Sequence, residues 1–71
     1  MKILKQNKKS YYGNDCMIYR SVALIRSLEN YIVLKHETVI GWCPCNDSTT
    51  FDFDSYDEAL EYYESLEKDF L

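Results

Sequence analysis

The sequence predicts a small α+β domain, an antiparallel sheet of three or four strands with one C-terminal amphipathic helix packed on one face. Three observations lead there. An apolar stripe at helical spacing follows Ser55, β-branched or alternating segments precede it, and short polar clusters separate those segments. The 71 residues are expected to form a single domain, 1–71, small enough that folding hides only about 60% of the unfolded chain's surface.

Residues 1–9 combine Ile3 and Leu4 with four lysines, which reads as a short edge strand or a frayed tail, the strand being preferred because lysines discourage further pairing. Ser10–Asp15 follows as a turn, with Gly13 and Asn14 as the residues that tolerate positive φ. Cys16–Leu28 fits two descriptions. As a strand it puts Ile18, Val22, Leu24 and Leu28 on one face and Met17, Tyr19, Ala23 and Ile25 on the other; as a helix, Asp15 caps it and Ile18, Val22, Ile25 and Leu28 share a side. The strand is preferred because Glu29 and Asn30 read as a reversal into the strand-like Tyr31–Lys35, completing a hairpin.

After a kink at His36 and Glu37, Thr38–Trp42 is expected to resume an extended path, with Gly41 marking a bulge or a close backbone approach. Pro44 ends ladder donation, and the polar run Cys43–Thr50 reads as a connection into a short strand, Thr50–Phe53, with Phe51 and Phe53 inward. Ser55 and Glu58 then have the spacing of a capping box. Beyond it Tyr56, Ala59, Leu60, Tyr63, Leu66 and Phe70 form one apolar stripe.

Charge is distributed unevenly. Residues 1–46 carry a net +4 and residues 47–71 a net −8, within a total of −4. Early helical acids suit the helix dipole and aid solubility, but their concentration also describes a ridge able to steer toward a basic surface. Asp52, Asp54, Asp57, Glu58, Glu61 and Glu64 make up this expected partner-binding ridge, with Tyr62 as an aromatic anchor at its border. The rival surface is Lys2, Lys5, Lys8, Lys9, Arg20, Arg26 and Lys35 with Tyr11, Tyr12 and Tyr19, the ingredients of a single-stranded nucleic-acid platform. A self-associating module, for instance a homodimer, is the third reading.

Catalytic and metal chemistry find little support. Cys43-Pro-Cys45, Cys16 and His36 include zinc-ligand types, but one intervening proline and the lack of a second pair do not make a zinc knuckle. No basic residue neighbours Cys43 or Cys45 to lower a thiol pKa, and His36 brings no third group or oxyanion site for a Cys–His dyad. The helix carboxylates lie on a solvated face where nothing separates their pKa values. A non-enzyme without metal or cofactor is expected. Three cysteines cannot all pair within one chain, and the opening MKILKQNKKS is too polar for a signal peptide, so a cytoplasmic, membrane-free protein is expected.

In size, in its acidic C-terminal segment YDEALEYYESLEKDF and in its sheet-plus-helix plan, the chain resembles small phage-encoded anti-defence proteins of the anti-CRISPR type. That resemblance covers the last third of the chain and contains no shared motif. It implies an inhibitor or decoy that mimics nucleic acid and occupies a basic surface on an effector such as a CRISPR nuclease in a bacterial host cell.

Overall fold

The computed structural model describes residues 1–42 and 44–71. Its elements run β1 (Lys2–Gly13), β2 (Cys16–Arg26), β3 (Tyr31–Ile40), β4 (Cys45–Phe53) and α1 (Tyr56–Asp69). The strands form one antiparallel sheet in sequence order, with β1 and β4 at its edges. The expected α+β architecture is therefore present, with four strands and the C-terminal helix packed on one side.

Several boundaries differ from the sequence expectation. The first strand runs through Ser10–Gly13, and the reversal is made by Asn14 (φ 51°) and Asp15 (φ 61°), whereas Gly13 keeps a negative φ. A two-residue hairpin loop with both φ values positive matches the strands' right-handed twist, and Asn and Asp tolerate that region. Cys16–Arg26 is a strand, and it stops before Leu28, which is 96% exposed in the following loop. There the Ser27 N–H donates to the Asn30 carbonyl at 2.9 Å.

The third strand passes His36 and Glu37 without interruption, because both pair on each side: His36 with Ser21 and Ser48, Glu37 with Arg20 and Asp47. Cys45–Thr49, expected as loop, belongs to β4. At a sheet edge with exposed side chains, polar residues need only the backbone ladder to hold them in a strand. Gly41 does permit a close approach: a Cβ there would lie 2.5 Å from Cys16 Sγ and 3.2 Å from the Asp15 carbonyl oxygen.

Ser55 is the N-cap of α1 with extended backbone angles, and its carbonyl accepts from the Ala59 N–H at 3.1 Å. Its hydroxyl makes no capping bond, so the capping box is not formed. The helix stripe meets the sheet as its spacing requires. Ala59, Tyr63 and Leu66 are buried against Val22 and Leu24 of β2 and Val33 of β3, with Leu60 and Phe70 half-buried around them. Each fully buried Val, Leu or Tyr side chain contributes about 1.5–3 kcal/mol, so this small cluster carries most of the folding drive. Burial, followed by repulsion from and hydrogen bonding to the Glu67 carboxylate, pushes the Tyr63 hydroxyl up to about 12.

Cations of the sheet close the far end of the helix. Arg20 pairs with Glu37 (Nε–Oε2 2.6 Å) and donates to the Phe70 carbonyl at 3.0 Å, while Lys35 Nζ lies 4.7 Å over the Phe70 ring. Positive charge there suits the helix C-terminus. Among the described residues no helix is long and apolar enough to cross a membrane.

Candidate acidic interface

The acidic face follows from helix geometry. Buried Ala59, Tyr63 and Leu66 fix which side of α1 meets the sheet, and residues at i, i+4 and i+7 on the opposite side align along its crest. Asp57, Glu61 and Glu64 occupy that row, all exposed, and Glu58 is exposed on the flank nearer β4. These four carboxylates fall within eight residues, about 10 Å of helix. Among the described residues none of them forms an ion pair; Arg20–Glu37 is the single salt bridge found there.

The remaining predicted positions separate. Asp54 lies in the β4–α1 connection and lines a shallow groove with Ser27, Leu28, Glu29 and Asn30. Asp52 pairs with Ile32 on the sheet face opposite the helix, because Phe51 and Phe53 take the helix side. Tyr62 is half-buried in the helix–sheet seam, its ring 4.7 Å from Phe51 and 5.5 Å from Phe53, so it anchors the helix to β4. In the sequence Glu29 belongs to the net-positive stretch 1–46. The β2–β3 reversal instead carries it to the end of the sheet beside Asp54, and the hairpin topology was the signal for that.

Strand alternation divides the lysine and tyrosine set. Lys8, Tyr12 and Tyr19 lie on the open face of the sheet, whereas Lys9, Tyr11, Arg20, Arg26 and Lys35 share the helix side. Four of the latter are engaged within the molecule: Lys9 Nζ and the Tyr11 hydroxyl donate to the Leu71 main-chain oxygen, Arg20 binds Glu37 and Phe70, and Lys35 lies over the Phe70 ring. The cations and rings of the expected platform are therefore split between two faces, Lys8 lying beside Tyr12 and Tyr19 on the open one and most of the cations lying with Tyr11 on the other.

Cys16 and Cys45 likewise lie on the helix side of the sheet, whereas His36 faces the other way and contacts Thr38 Oγ1 through Nε2 at 2.9 Å. Neither cysteine can form a dyad with it. Cys43, considered with Cys45 for zinc, lies outside the described residues. Among the described residues no group of three His, Cys, Asp or Glu side chains is placed to hold a metal ion. Comparison of the chain with protein-family models, with curated proteins and with solved structures finds no match.

Proposed function

We propose that this chain is a non-enzymatic protein-interaction module, an inhibitor or decoy that docks the acidic crest of α1 on a basic surface of its partner. The observation that carries this reading is that Asp57, Glu58, Glu61 and Glu64 are exposed and form no ion pair among the described residues, on an element whose opposite side is fixed by the core. Four negative charges in about 10 Å of helix approach the linear density of one nucleic-acid strand, one phosphate per about 3.4 Å along the axis. A protein surface evolved to receive phosphates would meet a comparable row of anions, which is the basis for a nucleic-acid-mimicking role. An anti-CRISPR-type inhibitor acting in a bacterial host cell is one form of that role.

The test is affinity capture from a bacterial lysate with the native chain and with a Glu58→Lys/Glu61→Lys/Glu64→Lys variant. The native chain is expected to retain a basic, nucleic-acid-binding protein that dissociates as salt rises, and the variant to lose it while keeping its circular dichroism spectrum. Equal capture by both chains would reject the crest as the docking site.

A further inference from the structure

We infer that the open face of the sheet, opposite the helix, binds a second copy of this chain in a two-fold face-to-face dimer. The carrying observation is a symmetry in the register. Lys8, Ser21, His36 and Ser48 form one row across the four strands. Counting outward from that row along β2, Tyr19 and Met17 lie two and four residues one way, Ala23 and Ile25 two and four the other. Along β3, Thr38 and Ile40 correspond in the same manner to Leu34 and Ile32.

A two-fold axis across the strands at Ser21 and His36 therefore sets Met17 over Ile25, Ile40 over Ile32 and Tyr19 over Ala23 of the other copy. That is the self-complementarity an isologous interface requires. The sizes fit as well as the polarity. Tyr19 stands out at 42% exposure, whereas Ala23 lies at 8% in a depression bordered by Ile3, Ile25 and Leu34, so projecting rings face hollows.

Area supports a second copy, and the charge on the face is sparse enough to admit one. Four strands about 4.8 Å apart and about ten residues long present roughly 650 Å², within the range of about 600–1,000 Å² per partner of a standard stable interface. The chain's accessible surface is 5261 Å². A monomer of its mass is expected to expose about 4,700 Å², leaving an excess comparable with this one face. The strand positions on the face include one anion, Asp52, and one full cation, Lys8; Lys8 lies in the axis row and so meets the other copy's Lys8, but at an edge strand where both side chains reach solvent. In a molecule of net charge −4, this surface brings two copies together without opposing their acids. Both crests would then point outward, away from the dimer axis.

Sedimentation equilibrium over a concentration series tests the dimer and its register together. The native chain should reach twice its 8.5 kDa mass. Ile40→Glu, at a site 57% exposed in the single chain, should raise the dissociation constant at least roughly 30-fold because each dimer buries two unpaired carboxylates. Adding Ile32→Lys to Ile40→Glu should recover most of that loss. The two positions are eight residues apart on β3, about 26 Å, so only an intermolecular pair can supply the rescue. A native chain that stays at 8.5 kDa throughout overturns the proposal, as does an Ile40→Glu chain, folded by circular dichroism, that dimerises unchanged. A double variant no better than Ile40→Glu overturns the register.

Discussion

The two faces of the sheet are built from the same four strands, yet they solve different problems. On the helix side Val22, Leu24 and Val33 are shut off from solvent by Ala59, Tyr63 and Leu66, and Leu4, Tyr31, Phe51 and Phe53 are half-buried around them. On the open side Ile25, Ile32 and Leu34 are half-buried by their neighbours in the sheet, and no helix of the described residues covers them. The first face converts hydrophobic area into stability, and the second keeps area in reserve. A chain this short has little core to spare, so its two faces should respond very differently to equivalent truncations.

The largest effect is expected at Tyr63, which is 2% exposed in the centre of the helix seam. Tyr63→Ala should cost about 3–5 kcal/mol, comparable with the whole stability of a domain this size, and a urea titration should find it largely unfolded. Leu34→Ala on the open face should cost only about 1 kcal/mol at concentrations where the chain is monomeric. Similar losses at the two sites would remove the distinction between the faces.

Gly41→Ala comes next. Its methyl group would meet Cys16 Sγ and the Asp15 carbonyl, an overpacking cost of about 1–3 kcal/mol. Cys16→Ala in the same chain should return part of that loss in a double-mutant cycle, and strict additivity would place the strain elsewhere.

A further effect is tied to pH. The Tyr63 hydroxyl titrates near 12 in the folded chain and near 10 when unfolded, so above pH 10 the unfolded state releases its proton first. Its contribution to stability is complete below pH 10 and is lost as pH rises toward 12, about 3 kcal/mol in all. Tyr63→Phe should flatten that part of the stability profile, and an unchanged slope would assign it to other groups.

How much of this was legible in the sequence depends on where each signal resides. The helix was readable because Ala59, Tyr63 and Leu66 repeat at its period, and β2 because a hairpin partner followed it. The N-terminal half of β4 was not, since Asn46–Thr49 has no apolar residue to reveal an alternation and is held by pairing with β3. Tyr11 and Tyr12 resembled turn residues beside Gly13, although the turn belongs to Asn14 and Asp15. Within the acidic ridge, the helical row was evident from spacing. The placement of Asp52 on the other side of the sheet, and the division of the lysines between faces, required the strand register and the irregularity between Ile3 and Lys5.

The smallest expected effect on stability is that of the crest itself. Reversing Glu58, Glu61 and Glu64 should change unfolding free energy by no more than about 1 kcal/mol, mostly through the helix dipole near Glu58. A larger loss in urea titration would mean that the crest supports the fold.

Partner capture from a bacterial lysate, run side by side on the native chain, the triple reversal and Ile40→Glu, tests most directly whether the crest is reserved for an outside cationic surface. The reversal alone is expected to abolish retention of the basic partner, and Ile40→Glu to leave it intact. Capture that survives the reversal, or that vanishes with Ile40→Glu while the crest is intact, would contradict it.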